Sequence, residues 1–86
     1  MFYVYVVRSE KDGRLYTGMT SDLPRRLKEH NRGTTTSLRD RRPIRLVYSE
    51  EYATRPEALA REHYFKTPEG GALKQRLVSE VEEEDR

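Results

Sequence analysis

Tyr3, Tyr5 and Tyr16 fall on one predicted hairpin, "FYVYVVRSEKDGRLYTGMT", and a basic helix, "DLPRRLKEH", follows at once. Tyrosine is a good strand residue, so sheet packing is the plain explanation. The chemical alternative is that two phenols and one arginine surround a bond to be cut. A carboxylate raises the same choice further on. Glu62 shares a helical stripe with Ala58 and Phe65, where an isolated charge is too costly to keep without a partner. That partner is Arg26, Lys66 one turn on, or a metal. Hard divalent cations need only one or two protein carboxylates when phosphate supplies further oxygens.

The elements that would position these groups follow from pattern. "FYVYVV" is β-branched and aromatic, "RSEKDGR" is a polar turn, and "LYTGMT" resumes the strand. If Arg8 and Gly13 close the loop, Tyr5 stands directly opposite Tyr16. Any odd pairing sum keeps both phenols on one face. In "TSDLPRRLKEHNRG", Ser21 or Asp22 caps a helix, Pro24 lies in its first turn and Gly33 stands beyond its end. At about 100° per residue, Leu23 and Leu27 mark its buried stripe. Arg26 and His30 flank that stripe, and Arg25 faces water. A snorkelling boundary residue is the plain alternative for Arg26.

"TTTSLRDRRP" reads as a polar, basic loop and "IRLVYSEEY" as a third strand. Thr54 and Glu57 form a capping box opening a second helix. "TPEGG" is expected to break it, and "ALKQRLVSEV" to form a third, with Leu73, Leu77 and Val81 inward. Tyr48, Tyr52 and Tyr64 are expected to pack or sit at boundaries. The expected class is α+β: a small three-stranded antiparallel sheet flanked by helices, order ββαβαα. It forms one domain over residues 1–79, with residues 80–86 as a frayed acidic tail.

Composition sets limits. With 34% hydrophobic and 37% charged residues among 86, the core must be small. A chain this size buries about 60–65% of its unfolded surface. The absence of cysteine rules out disulfides, thiolate zinc sites and a cysteine nucleophile. His30 and His63 lie on different helices, which argues against zinc. "GTTTS" lacks a P-loop ending, and no G-x-S-x-G motif occurs. No apolar run has membrane-span length and no signal peptide opens the chain, so a cytoplasmic protein is expected.

The net charge of +2 conceals an asymmetry, because residues 1–79 carry 16 basic and 10 acidic side chains, a net +6. Arg25, Arg26, Lys28, Arg32, Arg39, Arg41, Arg42 and Arg45 face only Glu29 and Asp40 within Arg25–Arg45. Such an excess suits a phosphate backbone; a solvated basic surface is the alternative.

The order and spacing of "YVY", "YTG" ten residues on, "YTGMTSDLPRRLKEHNRG" and "REHYFK" resemble the GIY-YIG nuclease superfamily, closest to small stand-alone bacterial members. The resemblance covers roughly residues 2–66. It implies a three-stranded antiparallel sheet flanked by helices and a metal-dependent endonuclease acting on nucleic acid, DNA ahead of RNA, selected by structure. By position, Tyr5 and Tyr16 match the motif tyrosines, Arg26 the family arginine, His30 a position held by histidine or tyrosine, and Glu62 the glutamate that holds one Mg²⁺ or Mn²⁺. The implied chemistry is hydrolysis leaving a 5′-phosphate and a 3′-hydroxyl. Arg26 clamps charge, one of the two phenols accepts a proton from water, and His30 orients a phenol or relays the proton. Arg25, Lys28, Arg32, Arg39, Arg41, Arg42 and Arg45 would hold the backbone.

This chain departs from the pattern at Tyr3 in place of the first glycine and at Met19, where many members have lysine. A late asparagine used by some members is also missing. A non-catalytic basic nucleic-acid-binding module on the same fold is the alternative. A scaffold for an acidic protein partner is a more distant one. A protein partner or a homodimer stays open.

Overall fold

The computed structural model describes residues 1–84. Strands β1 (Phe2–Ser9) and β2 (Leu15–Thr20) are followed by helix α1 (Leu23–Arg32), a 3-10 helix (Thr36–Arg41) and strand β3 (Ile44–Tyr52). Helices α2 (Arg55–Phe65) and α3 (Pro68–Glu84) complete the chain. The sheet is antiparallel in the order β2-β1-β3, so the fold is α+β with the expected order ββαβαα. Among the described residues no helix is long and apolar enough to cross a membrane.

β1 is central and covered on both faces, which is why Val4, Tyr5, Val6 and Val7 are all buried in succession. Val4 and Val6 pack with Val47 of β3, with Ala58 and Phe65 of α2 and with Val78 of α3. Tyr5 and Val7 pack with Leu38 and Ile44, against Leu23 and Leu27 of α1. Fully burying one such apolar side chain contributes about 1.5–3 kcal/mol. Glu50 fastens β3 to α2 by accepting from both Tyr48 and Tyr52 hydroxyls and from Arg61 Nε and Nη2.

Four expectations need correction. The hairpin pairs Tyr5 with Gly18 and Val7 with Tyr16, so the phenols share a face on the diagonal rather than directly opposite. The turn closes one residue later than expected, Ser9 N–H donating to Arg14 C=O. Ser9 is fully buried; its hydroxyl accepts from the Lys11 and Asp12 amides and donates to Arg41 C=O. That network pins the register.

Second, the "TTTSLRDRRP" loop winds into the 3-10 helix because Leu38 has a core to enter. Third, "TPEGG" does not precede α3 but begins it. Thr67 Oγ1 accepts from the Gly70 amide with Pro68 at the first helical position. Gly70 is the point where α3 crosses the end of α2, and any Cβ there would overlap the Tyr64 carbonyl.

Fourth, residues 80–84 are not frayed. They are the last turns of α3, and Glu82 accepts from Arg8 Nη2 at 2.8 Å and from Arg45 Nη2 at 3.2 Å. Asp85 and Arg86 of the expected tail lie outside the described residues.

Candidate active site

Tyr5, Tyr16, Arg26, His30 and Glu62, drawn from β1, β2, α1 and α2, line one cleft of about 480 Å³. Tyr5 is only 4% exposed, and its hydroxyl lies 2.8 Å from His30 Nε2. His30 is 2% exposed, and its Nδ1 lies 2.9 Å from Thr35 Oγ1. Burial pushes the Tyr5 phenol above its ordinary value, and the neighbouring Arg26 guanidinium pulls the other way. Burial, then the Arg26 charge, pushes His30 below its ordinary value, with Glu29 opposing. The phenol is therefore protonated and the imidazole neutral. In that state Tyr5 O–H donates to His30 Nε2 and His30 Nδ1–H donates to Thr35 Oγ1, which satisfies every member.

This relay makes stability depend on pH. The folded-state pKa of His30 is depressed, so below about 6.5 the unfolded chain binds a proton that the folded chain refuses. The contribution is complete above that pH and lost as pH falls through it. The expected result is a melting temperature that drops as pH falls below about 6.5, with a shallower slope in His30→Gln. Equal slopes in the two proteins would mean His30 does not titrate in this window.

Gly18 explains how the hairpin admits Tyr5. Its cross-strand partner is Tyr5, and a Cβ on Gly18 would overlap the phenol ring and hydroxyl. Gly18→Ala is expected to push the phenol off His30 and cost about 1–3 kcal/mol by overpacking. Thermal melts should show roughly 4–8 °C lost per kcal/mol. An unchanged melt with Tyr5 unmoved would refute the steric account.

Tyr16 is held differently. Its hydroxyl accepts from Arg41 Nε at 3.1 Å and donates to Asp12 Oδ2 at 3.4 Å, while Arg41 also pairs with Asp12. Arg26 reaches Glu29 Oε1 at 3.4 Å on a half-exposed side chain, a weak pair that leaves the guanidinium accessible.

Glu62 is 15% exposed, and its ion pairs are long: 3.8 Å to Lys66 and 3.9 Å to His63. Arg26 is not among its partners. No group of three or more acidic, histidine or cysteine side chains suited to a metal occurs among the described residues. The donor set is thus one largely sheltered carboxylate whose ion pairs are long and both fall on Oε1. That fits a hard divalent ion completed by water and phosphate oxygens.

The basic residues divide. Arg25, Lys28 and Arg32 are exposed on the outer side of α1. Arg39 Nε donates to Gly33 C=O and Arg42 Nε to Arg39 C=O, so both brace their own loop. Arg41 is fixed against Tyr16. Arg45 pairs with Glu10 and Glu82 and does not line the cleft.

The sequence reading missed Thr35, the bond between Arg41 and Tyr16, and Lys74, whose Nζ donates to Thr17 Oγ1 at 3.1 Å on the cleft wall. A signal for Lys74 existed. Positions 74, 77, 78 and 81 form one stripe of α3, so a charge at 74 raises the same question as Glu62.

Comparison with known proteins gives a consistent set of relatives. A family model described as the GIY-YIG catalytic domain matches residues 1–75. A UPF0213 protein of Staphylococcus saprophyticus subsp. saprophyticus is 46% identical over 66 residues, covering 76% of this chain and 79% of the relative. A UPF0213 protein of Staphylococcus aureus (strain Mu3) is 47% identical over 66 residues with the same coverage. The solution NMR structure of the UPF0213 protein BH0048 from Bacillus halodurans aligns at a TM-score of 0.54 and 36% identity, covering 92% of this chain and 84% of that one.

Proposed function

This chain belongs to the GIY-YIG catalytic domain family, and on that premise we propose that it is a divalent-metal-dependent endonuclease hydrolysing phosphodiester bonds in structured DNA. The observation that carries the reading is the convergence of Tyr5, Tyr16, Arg26, His30 and Glu62 on one cleft, with the Glu62 carboxylate held only by long ion pairs. When bound, a Mg²⁺ or Mn²⁺ ion held by Glu62 would polarise the phosphoryl oxygen and stabilise charge on the leaving oxygen.

The chain's own residues supply the rest. Tyr5 is the base because its hydroxyl already faces a neutral acceptor nitrogen. Its proton passes to His30 Nε2, and the phenolate takes a proton from the attacking water. Arg26 offers a planar fork to the phosphate oxygens as charge develops there. Tyr16, held by Arg41 and Asp12, orients the phosphate or the water. The leaving oxygen takes its proton from solvent. Arg25, Lys28 and Arg32 hold the backbone without reading bases, which makes binding salt-dependent.

The test uses end-labelled flapped, branched, single-stranded and duplex DNA and a hairpin RNA, each with Mg²⁺, Mn²⁺ or chelator. Discrete cuts that require metal support the proposal, and the substrate cut identifies the class. Salt-sensitive binding with no cuts under any metal would replace it with the non-catalytic binding module.

A further inference from the structure

Lys74 is a cation in an unusual position. It projects from α3 onto the wall of the cleft that holds Tyr5, Arg26 and Glu62. Its side chain is half-buried, on the stripe where α3 carries Leu77, Val78 and Val81. Elsewhere in the molecule, cations in comparable settings have an acidic partner: Arg8 has Glu82, Arg61 has Glu50 and Arg41 has Asp12. Lys74 has none among the described residues. Its one bond is to the neutral hydroxyl of Thr17, between Tyr16 and Gly18 on β2.

We propose that Lys74 contacts a backbone phosphate of the nucleic acid in the cleft, as a second cation beside Arg26. The inference rests on the nuclease reading for the identity of the anion. An ammonium has three donors, and Thr17 takes one, so two are free for phosphate oxygens. Burial, then the charge of Lys66, pushes the Lys74 pKa below its ordinary value. The charge is thus held against the preference of its surroundings, and an arriving phosphate reverses that preference. Thr17 fixes the ammonium over the strand that carries Tyr16, so a phosphate held there lies beside the phenols. A methionine would fill the same stripe without the cost of desolvating a charge. The cation therefore serves a ligand rather than the fold.

The experiment compares wild type, Lys74→Met and Lys74→Arg by fluorescence anisotropy on labelled flapped and single-stranded DNA across a salt series, with Ca²⁺ replacing the catalytic ion. Cleavage is measured in parallel with Mg²⁺. One lost phosphate contact should reduce the slope of log affinity against log salt by about 0.7–0.9 in Lys74→Met. Cleavage should fall by about ten- to a hundredfold, with partial recovery in Lys74→Arg and no loss of melting temperature. A merely structural lysine would leave the salt slope unmoved. An unchanged slope and rate in Lys74→Met, with wild type cutting normally, overturns the proposal and leaves the nuclease reading standing. A reduced slope without cleavage by any form keeps Lys74 as a phosphate ligand and removes the nuclease reading. A wild type that binds no nucleic acid overturns both.

Discussion

Glu62→Gln is expected to lower metal-dependent cleavage by about a thousandfold, equivalent to roughly 4 kcal/mol of transition-state stabilisation, with little change in fold. The substitution keeps the volume and removes the only carboxylate on the cleft wall among the described residues. Its ion pairs at 3.8 and 3.9 Å are too long to contribute much to stability, so the melting temperature should stay close to wild type. DNA affinity in chelator should hold or rise, since one negative charge leaves a site that receives phosphate. The structural alternative makes Glu62 a partner of Lys66 and nothing more. It predicts that Lys66→Met and Glu62→Gln behave alike and that both keep cutting. A Glu62→Gln protein within threefold of wild type in Mg²⁺ would end the metal assignment.

Tyr5→Phe should be nearly as severe, and it separates the two phenols that position alone treats as equals. Removing a general base costs about a hundred- to ten-thousandfold. Tyr16→Phe should cost at least tenfold less, because that hydroxyl is committed to Arg41 and to Asp12, a carboxylate that the Arg14 amide holds below its ordinary pKa and that takes no proton from a phenol. The Tyr5 change also leaves the buried Nε2 of His30 without its donor, at about 1–3 kcal/mol of stability. Rates must therefore be measured well below the melting temperature.

The pH profile supplies a second readout. The relay works only while His30 is neutral, and burial holds the His30 pKa below its ordinary value. Wild-type cleavage should stay level through the neutral range and fall at acid pH as His30 takes a proton, and the residual activity of Tyr5→Phe should lose that acid limb. An inactive Tyr16→Phe beside a nearly normal Tyr5→Phe would reverse the assignment.

The periodicities of this sequence determined which face each side chain takes. The β-branched and aromatic run "FYVYVV" marked β1 as a strand, and its cover on both faces was decided by the tertiary packing. The turn of α1 alone set Arg26 and His30 toward the sheet and Arg25 toward water. Glu62 stood out because a carboxylate on an apolar stripe conflicts with the cost of desolvating charge. The α+β class and the element order were legible on that basis, whereas the five residues of the cleft were named together only by the family resemblance that their order and spacing carry.

Partners were another matter. The hairpin register shifted because Ser9 found the Arg41 carbonyl 32 residues away, and that shift placed Gly18 under the Tyr5 ring. Gly70 read locally as a helix breaker, but its missing Cβ lets α3 cross Tyr64. Glu82 read as one charge in an acidic run, yet it binds Arg8 from 74 residues away. Lys74 reached the cleft only because the packing of α3 on α2 and β3 brings its Nζ to Thr17 of β2. Local pattern depends on a residue and its near neighbours, whereas these contacts join groups whose separation is set by how the helices pack on the sheet. The sequence chose the faces, and tertiary packing chose what each face meets.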